Sequence, residues 1–129
     1  MKKIIIQSDQ APSPIGPYSQ AVIAGNMLYV SGQIALHPET GELVMSDLEA
    51  ETRQVMDNIH AILEQASISF DAIVKSSIFL SDMAHFARVN EVYASFFTGN
   101  YPARETIQVS GLPKNVNVEI SVIAFVNNH

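Results

Sequence analysis

Arg104 is the residue of this chain whose type and surroundings best suit binding of a small anion. It stands at the start of a predicted strand, just after Pro102, which stiffens the approach of the backbone. A guanidinium in such a place can hold a planar carboxylate through two parallel hydrogen bonds. Glu119 follows on the next predicted strand. Arg104 therefore either grips a ligand or forms a structural salt bridge with Glu119, and the residue types alone leave both readings open.

Other common kinds of reactive centre find little support in the sequence. The four histidines are far apart, and His60 shares a helix face with Glu64 without a third ligand, so we expect no metal site. The absence of cysteine excludes a thiol nucleophile, a disulfide framework and a thiolate metal site. It also fits a reducing compartment, and a cytoplasmic location is the default expectation.

Composition limits the architecture and the partners. A chain of 129 residues with 47% hydrophobic content predicts one globular domain spanning residues 1–129. The net charge of −6 and scattered basic residues disfavour nucleic acid and anionic lipid as partners. The first apolar run ends after Ile6, and no apolar stretch approaches the length of a membrane span, so we expect neither an export segment nor a membrane contact.

Hydrophobic periodicity and turn residues predict alternating strands and helices. Gly25-Asn26 suits a two-residue hairpin, Ser46–Glu49 has the pattern of a capping box, and Ser81-Asp82 suits the start of a second helix. The resulting order β-β-β-α-β-α-β-β predicts an α+β fold, with two helices packed on one face of a sheet. The predicted elements are strands over 3–7, 19–24, 27–35 and 73–80, a possible short strand over 42–44, helices over 47–66 and from 83 to about 98, and strands over 104–109 and 116–126.

Strand alternation assigns polar side chains to one face of the sheet. Arg104 and Thr106 share a face of their strand, and Glu119 stands opposite the apolar residues of the last strand. We expect these polar faces to form the free face of the sheet, away from the helices. Tyr29 and Phe125 fall on the same face and make it too apolar for water, so we expect another subunit to cover it.

Five motifs together resemble the successive signatures of the reactive intermediate deaminase (Rid) family, in the family's order and over nearly the whole chain. They look most like the archetypal RidA subgroup. The resemblance implies a chorismate-mutase-like fold and a homotrimer with active sites in the clefts between subunits. The motifs are Gly16-Pro17-Tyr18-Ser19-Gln20-Ala21, Val30-Ser31-Gly32-Gln33-Ile34, Val89-Asn90-Glu91-Val92-Tyr93, Pro102-Ala103-Arg104-Glu105-Thr106, and Leu112-Pro113-Lys114 followed by Val118-Glu119-Ile120.

The resemblance also implies an activity. Members of the archetypal subgroup hydrolyse 2-imino acids such as 2-iminopropanoate and 2-iminobutanoate to 2-oxo acids and ammonia. These intermediates leave serine and threonine dehydratases that depend on pyridoxal phosphate. Because ammonia leaves without a redox step, the hydrolysis itself is expected to need no cofactor.

The resemblance assigns roles to individual residues. Arg104 would fix the substrate carboxylate, and Glu119 matches the acid that activates water. If the two lie close together, the cation would help to keep Glu119 ionised. Thr106 stands where some members carry a cysteine, and it would donate a hydrogen bond to the carboxylate. The other pocket positions implied are Tyr18, Ser31, Gly32 and Asn90.

Less specific readings of the same residues remain open. Ser31 suits a polar position near a bulge, Asn90 a helix surface, and Tyr18 a packing position. For the whole protein, the alternative is a regulatory or chaperone-like trimer that senses 2-oxo acids without turnover, because Arg104 would bind a product carboxylate equally well. RNA cleavage is disfavoured, since a ribonuclease should present a basic track.

Overall fold

The computed structural model describes residues 2–127, which form a six-stranded sheet and two α-helices. The predicted order β-β-β-α-β-α-β-β and the α+β fold class are both confirmed. No helix in this part of the chain is long and apolar enough to cross a membrane. The elements are β1 (Lys3–Ile6), β2 (Ala21–Ala24), β3 (Met27–Gln33), α1 (Leu48–Gln65), β4 (Ile73–Leu80), α2 (Phe86–Ala94), β5 (Ala103–Gln108) and β6 (Val118–Phe125).

The sheet has the strand order β1-β2-β3-β6-β4-β5. Only β4 and β5 pair in parallel, since α2 returns the chain to the same end of the sheet between them; the other neighbours are antiparallel. The last strand in sequence, β6, therefore lies in the middle of the sheet, and β5 lies at an edge. Because β6 pairs with β3, Glu119 lies next to the β3 residues of the second motif.

The hairpin of β2 and β3 forms as predicted, with Gly25 leading the turn at a φ of 62°. Pairing between β3 and β6 shifts between Val30 and Gln33, so a bulge interrupts β3 at this point. The strand that the sequence suggested over 42–44 does not form. Only a single bridge joins Leu36 to Leu43.

An aspartate caps α1, and another caps the short turn that precedes α2. The side chain of Asp47 accepts a hydrogen bond from the backbone N–H of Ala50 at 2.7 Å, so the predicted capping box that begins at Ser46 is wrong by one residue. Asp82 caps a short 3₁₀ turn that leads into α2. The predicted second helix was too long at both ends: α2 spans Phe86–Ala94, and the chain beyond it tightens into turns with i to i+3 hydrogen bonds.

The core lies between the helices and one face of the sheet. Four alternate residues of β6 point into it and are almost completely buried: Val118, Ile120, Val122 and Ala124. On the opposite face, Tyr29 and Phe125 are 44% and 46% exposed. The prediction that another subunit covers this free face follows from the same alternation and remains a prediction.

Candidate active site

The structure corrects the expected relation between Arg104 and Glu119. Arg104 pairs in register with Ser76 of β4, and the hydroxyl of Ser76 is buried under α2, where it accepts a hydrogen bond from the Tyr93 hydroxyl at 2.9 Å. Arg104 therefore lies on the helix side of the sheet. Glu119 pairs with Phe79 and alternates with the buried residues of β6, so it lies on the free side. Within one chain, the two residues stand on opposite faces.

The physical reason for this error is that alternation divides the side chains of a strand between two faces of the sheet but does not identify the face that the helices cover. The side of the sheet that an edge strand such as β5 turns toward the helices is decided by its register with β4. In β5 the contrast between the two faces points the wrong way: Ile107, on the face opposite Arg104, is 44% exposed, whereas the polar face of Arg104 and Thr106 lies toward the helices. The Arg104–Glu119 salt bridge, one of the two readings that the sequence left open, is accordingly absent from the ion pairs of residues 2–127.

Arg104 is held by α2. Its guanidinium carbon lies 5.4 Å from the centre of the Phe86 ring and 5.3 Å from that of Tyr93, both within the range of cation–π attraction. The guanidinium also donates a hydrogen bond to the Asn90 side-chain oxygen. Phe86, Asn90 and Tyr93 recur at spacings of four and three residues, and thus share one face of α2. The motif residue Asn90 therefore orients Arg104 directly.

A cavity of about 480 Å³ opens beside this cation. Tyr93 is one of the residues that line this cavity. Burial raises the pKa of its hydroxyl, although the hydrogen bond to Ser76 and the charge of Arg104 act to lower it. We call this region the Arg104 compartment, defined by Asn90, Tyr93, Tyr101 and Arg104. No carboxylate of residues 2–127 pairs with the guanidinium, so the cation is available to an external anion.

Thr106 lies on the same side of the sheet as Arg104, as alternation predicted. It pairs with the buried Ile78 of β4. Its hydroxyl oxygen is buried without a hydrogen-bond partner in the described part of the chain. A buried hydroxyl in this condition has unused capacity to donate.

Glu119 lines a different cavity of about 190 Å³, together with Tyr18, Gln20, Gly32 and Gln33. We call these five residues the Glu119 compartment. Burial raises the pKa of the Glu119 carboxyl above its ordinary value, and no cation contributes to the shift. A carboxylate that is poorly solvated and unpaired is a stronger base than an exposed one, which is the property that water activation demands.

Gly32 lies against this carboxylate at the bulge of β3. A Cβ on Gly32 would stand 2.3 Å from Glu119 Oε2 and 2.8 Å from Glu119 Cδ. Any side chain at position 32 would thus displace the carboxylate. The sequence resemblance placed Gly32 among the substrate-binding residues; the structure gives it the further task of leaving room for Glu119.

Ser31 and Tyr18 lie at the border of the compartment. The Ser31 hydroxyl donates to the carbonyl oxygen of Ser19 at 2.6 Å, which fixes the rotamer of Ser31 and leaves its oxygen able to accept a hydrogen bond. Tyr18 is half exposed and lines both the Glu119 compartment and a neighbouring groove that contains Ser31. Tyr18, Gly32 and Glu119 are thus brought together, whereas Arg104, Asn90 and Thr106 belong to the other side of the sheet.

Gln20 and Gln33 are site residues that the sequence reasoning missed. The Gln20 side chain is 2% exposed and holds the irregular segment before β2: Oε1 accepts from Ser8 N at 2.6 Å, and Nε2 donates to the carbonyls of Ser8, Ala11 and Pro12. Gln33 donates to the carbonyl of Ser31. A signal for Gln20 was present, because a proline-rich segment has backbone carbonyls without strand partners and needs a nearby donor.

Comparison with known proteins identifies the family of this chain. The family model described as Endoribonuclease L-PSP matches residues 8–126. The chain belongs to this family. A Rid-family protein of Yersinia pestis is 50% identical to it, with a TM-score of 0.94 over 97% of this chain and all of the other. The family thus includes the Rid proteins that the five motifs resembled.

Two further family members carry informative names. Reactive Intermediate Deaminase A of Arabidopsis thaliana is 43% identical, and the match spans 96% of this chain and 66% of the plant protein. TdcF of Escherichia coli, whose crystal structure contains bound serine, is 41% identical with a TM-score of 0.92, over 96% of this chain and 99% of the other. Family members therefore include a protein named as a deaminase and one that binds an amino acid.

Proposed function

We propose that this protein hydrolyses 2-imino acids, such as 2-iminobutanoate and 2-iminopropanoate, to 2-oxo acids and ammonia. The site is completed in a homotrimer, where the Arg104 compartment of one subunit meets the Glu119 compartment of its neighbour. One observation carries this proposal: a cation and a base, each unpaired and each in a cavity, lie on opposite faces of the same sheet. Only a second copy brings them together.

The chemistry follows from the two side chains. Arg104 holds the substrate carboxylate through its paired N–H groups, which orients the adjacent C=N carbon. Glu119 takes a proton from a water as its oxygen adds to that carbon, giving a tetrahedral amino alcohol. Transfer of protons to nitrogen and from the new hydroxyl allows the C–N bond to break, and ammonia leaves with the electron pair. The products are a 2-oxo acid and ammonia, with no change of oxidation state.

The remaining motif residues support these two. Asn90 orients the guanidinium, and Thr106 supplies an unused hydroxyl on the Arg104 side. Tyr18 stands at the border of the Glu119 compartment, where a neighbouring subunit would approach, and Ser31 keeps the bulged backbone beside Gly32 in place. These roles for the side chains rest on the proposed assembly.

The family resemblance and the name of the plant relative favour turnover. The bound serine of TdcF favours a second candidate, a trimer that senses small acids without turnover. Arg104 would serve either function. RNA fits the charge distribution poorly, because the net charge is −6 and Lys75 and Arg88 are each paired with a glutamate.

The experiment that tests hydrolysis couples the protein to a threonine dehydratase. Added protein is expected to speed the release of 2-oxobutanoate from threonine, and Arg104→Ala is expected to abolish the effect. Arg53→Gln, which removes the same charge from an exposed position of α1, serves as the control. A rate that stays at the dehydratase background at high protein concentration would show that the protein is not an imine hydrolase.

Glu119→Gln separates the enzyme from the sensor. An enzyme should lose turnover, while binding of 2-oxobutanoate measured by calorimetry persists. A wild-type protein that binds the 2-oxo acid without any turnover would establish the sensor instead. Light scattering tests the assembly on which either function depends, and the mass of a single chain would contradict the trimer.

A further inference from the structure

A second cavity of about 300 Å³ adjoins the Glu119 compartment. Four residues line both cavities: Pro12, Ser13, Ile15 and Leu36. The two cavities therefore share a mainly apolar lining, along which a substrate whose reacting carbon lies beside Glu119 would extend its side chain. We call the second space the outer cavity.

The lining that belongs to the outer cavity alone is largely polar and includes two groups that favour anions. His37 and Lys114 line it. The Nδ1 atom of His37 accepts the backbone N–H groups of Glu39 and Thr40 at 3.2 and 3.4 Å, so the neutral ring carries its proton on Nε2 and can donate from there. The ammonium of Lys114 forms no salt bridge with residues 2–127.

The backbone at Lys114 is unusual. Lys114 and Asn115 have φ values of 56° and 58°, in the left-handed region that side chains with a Cβ disfavour. Asparagine is tolerated there, but lysine is not an expected choice. An unfavourable conformation that is kept at the edge of a cavity suggests that the side chain has a task.

We propose that the outer cavity binds a second carboxylate of the substrate, so that 2-imino dicarboxylic acids such as 2-iminoglutarate are preferred over short monocarboxylic ones such as 2-iminobutanoate. This inference rests on the proposed imine hydrolysis at Glu119. The first carboxylate is held by Arg104, the methylene groups pass along the apolar lining, and the distal carboxylate meets Lys114 and His37. Glu39 lines the same cavity, and its charge opposes binding of an anion there.

The test compares hydrolysis of 2-iminoglutarate with that of 2-iminobutanoate. Each imine is generated from its amino acid by an amino-acid oxidase, and its lifetime is followed with a semicarbazide trap. The readout is the ratio of the two kcat/KM values for the whole protein and its variants. Because the ratio cancels general damage to the site, it isolates recognition of the distal carboxylate.

Lys114→Asn is the informative variant, since asparagine accepts the left-handed backbone and removes the charge. It is expected to lower the ratio about three- to fivefold, the effect typical of one exposed ion pair, and Lys114→Arg should restore it. Glu39→Gln should raise the ratio. Salt at about 1 M should weaken the wild-type preference, because it shortens the screening length to about 3 Å. Arg53→Gln should leave the ratio unchanged.

A ratio that Lys114→Asn leaves unchanged would overturn the inference and leave imine hydrolysis standing. A failure of hydrolysis is recognised separately, because the protein would then shorten the lifetime of neither imine. In that case, calorimetry with 2-oxoglutarate and 2-oxobutanoate decides whether the outer cavity binds a carboxylate. Tighter binding of 2-oxoglutarate that Lys114→Asn removes would support the outer cavity as a carboxylate site even in a protein that only senses, and equal binding of both acids would refute it.

Discussion

The Arg104 compartment and the Glu119 compartment contain opposite charges, and they differ in how well the surrounding side chains stabilise the charge. Arg104 is partly exposed, lies over two aromatic rings and donates to Asn90, so its charge is well compensated without an anion. Glu119 is half-buried, forms no ion pair with a cation of residues 2–127, and has a pKa that burial raises. The surroundings of Arg104 therefore stabilise its charge, whereas those of Glu119 destabilise its charged form.

This difference bears on how the site would assemble. A desolvated carboxylate costs the isolated chain stability, and a cation brought by a neighbour would recover part of that cost. The compartments lie on opposite faces of the sheet, so in the proposed trimer each copy would offer a cation to one neighbour and a base to another. Such head-to-tail complementarity is heterologous, and the proposed trimer requires that it close into a ring.

Mixing two inactive variants gives the largest effect and tests this arrangement. Arg104→Ala and Glu119→Gln are each expected to lower kcat/KM by 100-fold or more. When the two chains are unfolded together, refolded and assayed, about one quarter of the sites in random trimers should receive both intact residues from different subunits. Turnover should then return to about a quarter of the wild-type value.

Each variant refolded alone serves as the control and should stay inactive. If both residues of a site came from the same chain, no mixture would contain an intact site. Activity in the mixture that remains at the level of the single variants would therefore contradict the composite site.

Gly32→Ala should disturb only the Glu119 compartment. The new Cβ would meet Glu119 Oε2 at 2.3 Å, so the carboxylate must rotate away from its position. We expect a loss of roughly 10- to 100-fold in kcat with little change in 2-oxobutanoate binding, because misplacing a base by about 1 Å has effects of this size. Gly111→Ala is a matched control, since a Cβ added there would meet no atom of the described residues within 4 Å apart from its chain neighbours, and Gly111 is not in the left-handed region. Equal losses in the two variants would show that Gly32 has no special role.

Much of the fold was predictable because its signals are local. Alternation identified the buried face of β6, two-residue turn chemistry identified the hairpin at Gly25, and β4 was predicted with its bounds at Ile73 and Leu80. The errors are also local: Asp47, not Ser46, caps α1, because adjacent residues of similar capping preference cannot be separated by type.

The candidate site was predictable as a list of residues but not as an arrangement. The motifs named Arg104 and Glu119, yet the side of the sheet on which each lies depends on strand pairing between distant segments. The contact between Gly32 and Glu119 depends on a bulge in β3. The hydrogen bonds of Gln20 depend on backbone carbonyls that have no strand partner in the irregular segment before β2. None of these has a signature within a short window of sequence.

Glu119→Gln is expected to raise stability while it removes turnover. A raised pKa means that the folded state binds the proton more tightly than the unfolded chain does. The ionised carboxylate therefore lowers stability above the ordinary pKa of glutamate, and the penalty develops as the pH rises through the raised value. A rise in Tm of roughly 2 °C is expected at pH 7 and none near pH 4. A lower Tm at pH 7 would show that a cation of the neighbouring subunit recovers more than the burial penalty of Glu119, contrary to the partial recovery expected above.

The Glu49–Arg88 pair should give the smallest effect, although the pKa shift at Glu49 is large. Arg88 donates two hydrogen bonds of 2.7 Å to this carboxylate and lowers its pKa to about 2. Both side chains are exposed, so water and salt screen the pair, and Arg88→Gln should lower Tm only slightly. The sign is opposite to that of Glu119: the contribution is present above the ordinary pKa of glutamate and disappears as the pH falls toward 2. Because the pair touches neither compartment, kcat/KM should stay at the wild-type value, and a loss of turnover would mean that the orientation of α2 controls Arg104 more closely than its local contacts imply.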